Sequence, residues 1–227
     1  MIGIQWIIFI GVALLSWLVQ LNLQNKFKKY SKVGIGNGMT GADVALKMLH
    51  DNGIYDVKVT HTSGHLTDHY NPANKTVNLS DSVYQSNSIM AAAVAAHECG
   101  HAVQHAKAYA PLTLRSKLVP VVSFASQWMS WLLLAGILLL NSFPQLLLAG
   151  IILYAMTTLF SFVTLPVEIN ASRRALVWLN RAGITNARNH SQAEDALRAA
   201  AYTYVVAAIG SLATLVYYVL IFLGRRD

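Results

Sequence analysis

Four long apolar stretches dominate the chain and limit what it can fold into. They comprise residues 2–23, 118–140, 146–165 and 204–223. Each holds about 20 mostly apolar residues, the length that an α-helix needs to cross the hydrocarbon core of a bilayer. Only 12% of the 227 residues are charged, against about 25% in soluble domains. The sequence therefore excludes a wholly soluble protein and predicts an α-helical membrane protein with about four transmembrane helices.

The 17 lysines and arginines are distributed unevenly between these stretches. Ten lie in 24–117, five in 166–203 and none in 141–145, and the remaining two are Arg225 and Arg226. Because cations concentrate in cytoplasmic loops, we expect 24–117 and 166–203 on the cytoplasmic side of the membrane and 141–145 outside. The same rule explains the net charge of +7 without a nucleic-acid partner. The two C-terminal arginines fit less well, and a fourth apolar helix that does not cross would reconcile them.

This arrangement divides the chain into five segments. They are a transmembrane anchor (1–23), a cytoplasmic segment (24–117), a transmembrane hairpin (118–165), a second cytoplasmic, helical segment (166–203) and a fourth transmembrane helix with a short tail (204–227). In the first cytoplasmic segment, residues 56–60 and 76–79 alternate with period two and predict short strands. Thr40 followed by Asp43 predicts a helix that begins with a capping box. We therefore expect a small α+β domain there, built around the helix described next.

An alanine-rich helix is predicted over 89–105, with Ser88 as its N-cap. It carries the pattern H-E-x-x-H at 97–101. Because residues four apart lie on one helix face, His97 and His101 are in position to hold one Zn²⁺ at about 2.0–2.1 Å. Glu98 projects about 100° away around the helix axis, since an α-helix has about 3.6 residues per turn. It is therefore placed to accept a proton from a zinc-activated water.

A catalytic zinc site usually has a third protein ligand, and Glu168 is the best candidate. It follows the third apolar stretch and is one of three acidic residues in 166–203, the others being Glu194 and Asp195. It lies on the same predicted side of the membrane as the H-E-x-x-H helix. Ser172 comes one helical turn later and could support a ligand by hydrogen bonding. Glu194 and Asp195 remain alternatives.

Another possible third ligand, His105, and two other classes of zinc protease fit the sequence less well. His105 lies one turn beyond His101 but rotates away from the histidine pair, so it is a weaker alternative as third ligand. The metzincin pattern requires Gly and His where this chain has Gln104 and Lys107, which excludes that class. No Asn-Pro-Asp-Gly motif of the intramembrane site-two proteases is present.

Three histidines between the two predicted strands are spaced four residues apart: His61, His65 and His69. Their spacing is compatible with metal or substrate binding, although Gly64 interrupts any helix that would place them on one face. Together with Tyr70 they are the nearest candidates to stabilise an oxyanion in a reaction at the H-E-x-x-H helix. Nothing in the sequence selects among the four.

Four segments of the chain stand out as recognisable motifs: AAHECGHAVQ (95–104), LTDHYNP (66–72), LTLRSKLVP (112–120) and LPVEINASRRA (165–175). Together they resemble the YugP-like membrane-bound neutral zinc metallopeptidases of bacteria, which implies a location in a bacterial plasma membrane. The resemblance extends over most of the chain. It implies a gluzincin-like peptidase with His97, His101 and Glu168 as zinc ligands and Glu98 as the catalytic residue.

Together these features predict a membrane-embedded zinc metalloendopeptidase with one Zn²⁺ per chain. Its small α+β zincin-like catalytic domain is expected in 24–117, around the H-E-x-x-H helix, with the third zinc ligand in 166–203. Its expected substrates are membrane or membrane-proximal proteins, cleaved by zinc-activated water with Glu98 as general base. The alternative from another class is a non-catalytic zinc sensor or scaffold in the membrane. A sensor would need His97, His101 and Glu168 but not Glu98, so the presence of Glu98 favours the enzyme.

Overall fold

The computed structural model describes residues 2–224, so the C-terminal tail at 225–227 lies outside the described residues. Seven helices and three strands follow one another along the described chain. They are α1 (Ile2–Tyr30), α2 (Gly41–Asp51), β1 (Lys58–Thr62), β2 (His69–Asn71), β3 (Thr76–Ser80), α3 (Asp81–Tyr84), α4 (Ile89–Ala106), α5 (Ala110–Leu138), α6 (Pro144–Arg181) and α7 (His190–Gly224). The protein is thus mostly helical with one small sheet.

Four of these helices, α1, α5, α6 and α7, are long and apolar enough to cross a membrane. The predicted number of such helices is confirmed, but the helices are longer than the apolar stretches. Helix α6 continues through Pro166 to Arg181, and α7 begins at His190, well before its apolar stretch. An apolar run marks the part of a helix that suits lipid, whereas the helix itself continues as long as its backbone hydrogen bonds are made.

The chain forms two compact units, and the first consists of apolar helix segments. It comprises α1 up to Leu18, α5 from Thr113, α6 up to Pro166 and α7 from Thr203. In the α5–α6 hairpin, a Cβ added at Gly136 would lie 2.4 Å from the backbone of Leu147. Only glycine permits this approach of the two helices. Large apolar side chains such as Trp128 and Trp131 are exposed on this unit, as lipid-facing residues would be.

The second unit, Val19–Leu112 with Val167–Tyr202, is built around α4. Fourteen of the 18 residues of α4 are buried, so small alanines are needed on most faces for neighbours to pack. Helix α2 lies against α4, and its Ala45, Met48 and Leu49 are buried. The predicted capping box is confirmed, because Thr40 Oγ1 accepts from Asp43 N at 3.2 Å and Thr40 N donates to Asp43 Oδ2 at 2.9 Å.

The sheet of the second unit has the strand order β1-β3-β2. β3 runs parallel to β1 and antiparallel to β2, and its Val77 and Leu79 are fully buried. The strand expected at 76–79 is present, whereas the one expected at 56–60 lies two residues further along the chain. The short strand β2 was not predicted. It occupies one edge of the sheet and is packed near α4.

Candidate active site

Helix α4 presents the H-E-x-x-H histidines together. The N-cap is the predicted one, since Ser88 Oγ accepts a hydrogen bond from Ala91 N at 3.1 Å. Two and a half turns later, the imidazole rings of His97 and His101 lie with their centroids 4.9 Å apart, edge to face. The four-residue spacing thus places both rings on one side of the helix, as the sequence predicts.

Helix α6 comes close enough to α4 to bring a carboxylate to this pair of histidines. A Cβ added at Gly100 would lie 2.7 Å from the carbonyl oxygen of Ala171. A real Cβ does not come so close to a backbone atom, so the two helices meet at a position where α4 has no side chain. Three residues before Ala171, the Glu168 side chain is directed at His97 and His101.

Three side chains therefore converge: His97, His101 and Glu168. One carboxylate oxygen, Glu168 Oε2, lies 3.3 Å from His97 Nε2 and 3.5 Å from His101 Nε2. All three candidate ligand atoms lie within 4.8 Å of one another, and Glu168 is only 3% exposed. Two ligands of a tetrahedral zinc ion with bonds of about 2.0–2.1 Å are separated by about 3.3–3.4 Å. The residues present thus fit a zinc ion with two histidine ligands and one carboxylate ligand.

The far nitrogen of each imidazole also has a hydrogen-bond partner. Ser172 Oγ lies 3.0 Å from His97 Nδ1, and Gln104 Oε1 lies 3.0 Å from His101 Nδ1. Such contacts orient ligand histidines in metal sites and leave the other nitrogen for the metal. The sequence suggested the supporting position of Ser172 but not that of Gln104. The available signal was its place three residues after His101, on the same side of α4.

Glu98 lies outside the group of three and faces the sheet. Its side chain is 9% exposed, and its Oε2 accepts a hydrogen bond from the backbone N–H of Tyr70 at 3.0 Å. The Tyr70 hydroxyl in turn lies 2.8 Å from His105 Nδ1. Tyr70 of β2 therefore contacts α4 at both Glu98 and His105. A backbone donor has no signature in the sequence, so this contact could not be predicted.

Two carboxylates shape the electrostatics around His101. Burial disfavours the charged imidazole, but hydrogen bonding to Glu168 and the charge of Glu98 outweigh burial and raise the pKa of His101 above its usual value. The surroundings of His101 therefore favour its charged imidazolium form. The neighbouring Cys99 is inert by contrast, since burial, and secondarily the charge of Glu98, raise the pKa of its thiol well above the usual range.

His61 in β1, His65 in the β1–β2 connection and His69 in β2 do not form a group of possible metal ligands. His61 pairs with Asp81 at 2.5 Å, and His65 packs edge-on against Phe27. His69 Nδ1 lies 2.8 Å from the carbonyl oxygen of Thr67. Within the described part of the chain, the one group that could hold a metal is that of His97, His101 and Glu168. Of the four oxyanion candidates, Tyr70 is the one bonded to Glu98.

The alternative third ligands are engaged elsewhere. Asp195 accepts hydrogen bonds from Lys26 and from Tyr30, each at 2.5 Å. Glu194 forms an ion pair with Arg198 one turn along α7. His105 bonds to the Tyr70 hydroxyl, as described above. In the part of the chain that the structure describes, none of these three residues belongs to the group that could hold a metal, which is His97, His101 and Glu168.

Comparison with known proteins identifies a family and a relative of this chain. Residues 5–223 match the family described as "Putative neutral zinc metallopeptidase". The chain is also 45% identical to "Putative membrane protease YugP" of Bacillus subtilis (strain 168) over 222 residues, which cover 97% of this chain and 98% of that protein. No solved structure matches the chain. The family match covers nearly the whole chain, and the protein therefore belongs to the neutral zinc metallopeptidase family, with a membrane protease among its relatives.

Proposed function

We propose that the protein is a membrane-embedded zinc metalloendopeptidase and that its second unit is a zincin-like catalytic domain. In this proposal His97, His101 and Glu168 hold one Zn²⁺ and Glu98 is the general base. The observation that carries the proposal is the meeting of Glu168 Oε2 from α6 with both Nε2 atoms of the α4 histidines, at 3.3 and 3.5 Å. Three protein ligands of these types leave a fourth position for water or substrate, as catalytic zinc sites do.

The work of the protein residues follows from their positions. A bound zinc ion would supply Lewis-acid activation of water and of the scissile carbonyl. Glu98 accepts the proton of the attacking water and passes it to the nitrogen of the leaving amine. The Tyr70 N–H at 3.0 Å holds the Glu98 carboxylate in place before the substrate arrives. His97 and His101 would bind the zinc ion through Nε2, each held through its Nδ1 atom.

An extended peptide fits this arrangement as substrate. β2 is an edge strand, and its Tyr70 N–H points away from β3 to Glu98. Edge strands bind extended peptides by adding a strand to the sheet, which would lead a substrate past Glu98. Because the relative in Bacillus subtilis is described as a membrane protease, we propose membrane or membrane-proximal proteins as the substrates.

Metal removal tests the proposed reaction. The purified protein in detergent should contain one zinc per chain and cleave members of a peptide library. Dialysis against a chelator should abolish cleavage, and stoichiometric zinc should restore it, because no residue of the site can replace the Lewis acid. Circular dichroism should show that the helices persist without metal. Equal cleavage by metal-free and zinc-loaded protein would contradict the proposal.

The proposed topology places the metal group on the cytoplasmic side. It rests on the ten, five and zero cations in 24–117, 166–203 and 141–145. Cys99 is the single cysteine and is buried, so new exposed cysteines can be labelled against a low background. A membrane-impermeant maleimide should label Ser142→Cys on intact cells and Ser63→Cys only after lysis. Labelling of Ser63→Cys on intact cells would overturn this orientation.

A further inference from the structure

Gln104 is a polar side chain with no exposed surface, and it lies between the two helices that carry the candidate metal ligands. Its side chain makes three hydrogen-bond contacts. Oε1 lies 3.0 Å from His101 Nδ1, and Nε2 donates to Val167 O at 2.8 Å and to Asn170 Oδ1 at 3.0 Å. It therefore joins His101 on α4 to the residue that precedes Glu168 on α6. Burying an amide costs free energy unless its hydrogen bonds are made, and here all its groups have partners.

The orientation of this amide follows from the chemistry of its neighbours. Both N–H groups of Gln104 Nε2 face oxygen acceptors, so the Oε1 atom must be the one that faces His101. Asn170 is oriented in the same way, because its Oδ1 also accepts from Arg174 Nε at 2.7 Å. A guanidinium can only donate hydrogen bonds. The direction of every bond in the series Arg174, Asn170, Gln104, His101 is therefore fixed from its arginine end.

We propose that Gln104, held by Asn170 and Arg174, is a positioning residue that fixes the tautomer of His101. Because Gln104 Oε1 can only accept, His101 Nδ1 must carry a proton, which leaves Nε2, the nitrogen that faces Glu168, as the one that can bind zinc. Zinc binding requires the lone pair of that nitrogen, so the series of bonds orients His101 with the correct nitrogen toward the site. This inference rests on the proposed zinc site.

His97 differs from His101 in this respect. Its Nδ1 contacts the hydroxyl of Ser172, and a hydroxyl can donate or accept. The contact with Ser172 therefore orients the His97 ring but does not determine its tautomer. We infer that loss of the Gln104 contact weakens zinc binding more than loss of the Ser172 contact.

The test measures zinc affinity of the purified full-length protein in detergent, by competition with a chromophoric chelator. Gln104→Leu keeps the side chain's approximate volume and removes all three hydrogen bonds, and it should weaken zinc binding by about 10–100-fold. Asn170→Leu should weaken binding in the same direction by releasing Gln104. Asn170→Asp should bind zinc like the wild type, because a carboxylate oxygen can accept both bonds. Ser172→Ala should have a smaller effect than Gln104→Leu.

A matched control separates positioning from general packing. Trp178→Phe removes a partly buried hydrogen bond of α6, from Trp178 Nε1 to Asp51 Oδ2 at 3.0 Å, which does not involve the candidate ligands. It should lower the thermal stability of the protein and leave zinc affinity unchanged. Should Gln104→Leu fail to fold, Asn170→Leu with its Asn170→Asp counterpart provides the same comparison at a partly exposed residue.

The outcomes distinguish this inference from the proposed function. Weaker zinc binding in Gln104→Leu and Asn170→Leu, but not in Asn170→Asp or Trp178→Phe, supports the positioning role. If Gln104→Leu binds zinc with wild-type affinity, or if Trp178→Phe weakens zinc binding equally, the positioning role is wrong but the proposed zinc site is unaffected. A wild-type protein that binds no zinc overturns the proposed site, and this inference with it.

Discussion

Replacing Glu98 by glutamine should reduce peptide hydrolysis by about 10²–10⁴-fold, the usual contribution of a general base. Glutamine has nearly the same size and still offers an oxygen to the Tyr70 N–H that Glu98 contacts at 3.0 Å. It cannot accept the proton of the attacking water. Because Glu98 lies outside the group of candidate ligands, we expect the variant to fold normally and to keep one zinc per chain. Cleavage of a peptide library and metal content, both in detergent, measure the two effects.

The matched control for this experiment is Glu194→Gln. It makes the same chemical change at a carboxylate that pairs with Arg198 and has no place in the metal group. It should cleave peptides at the wild-type rate. Equal hydrolysis by Glu98→Gln and wild type would show that another group moves the proton. Wild-type protein that binds zinc but cleaves nothing would favour the sensor or scaffold.

Features that depend on neighbouring residues along the chain could be predicted. The capping box of Thr40 and Asp43 and the N-cap at Ser88 are present, because each needs only residues within one helical turn. The two histidines of the H-E-x-x-H pattern share a helix face for the same reason. Apolar runs likewise identified four helices long enough to cross a membrane, because a spanning helix needs about 20 consecutive, mostly apolar residues.

The limits of those same helices could not be predicted from composition. Beyond each span, polar residues continue the helix, so α6 carries both the third apolar stretch and Glu168 without interruption. Pro166 lies inside α6, although proline removes one helical hydrogen bond. The remaining bonds of a 38-residue helix are sufficient to carry it through.

Contacts between distant segments were the least accessible to sequence reasoning. Gly100 is an unspecified position of the motif, yet it permits the approach of Ala171. Gln104 has a partner more than 60 residues away, at Val167. The bond between Tyr70 N–H and Glu98 uses a backbone group that every residue except proline has. In each case the partner is chosen by tertiary packing, which local patterns do not encode.

Removal of a metal ligand should have the second large effect. His97→Ala, His101→Ala and Glu168→Ala should each weaken zinc binding by more than the about 10–100-fold that loss of a supporting hydrogen bond costs. The reason is that each change removes one of three atoms that lie within 4.8 Å of one another. Zinc content after gel filtration and affinity by chelator competition are the measurements, with circular dichroism to verify folding.

His105→Ala and Glu194→Ala are the controls for the ligand variants, because each removes an alternative third ligand. His105 lies one turn beyond His101 but contacts Tyr70, and Glu194 contacts Arg198. Both control variants should keep one zinc per chain. If Glu168→Ala keeps its full zinc content and one control variant loses zinc, the residue changed in that control is the third ligand instead of Glu168. The proximity of Glu168 Oε2 to both histidines would then reflect ion pairing in the metal-free protein, because an imidazolium and a carboxylate attract each other at the same distances.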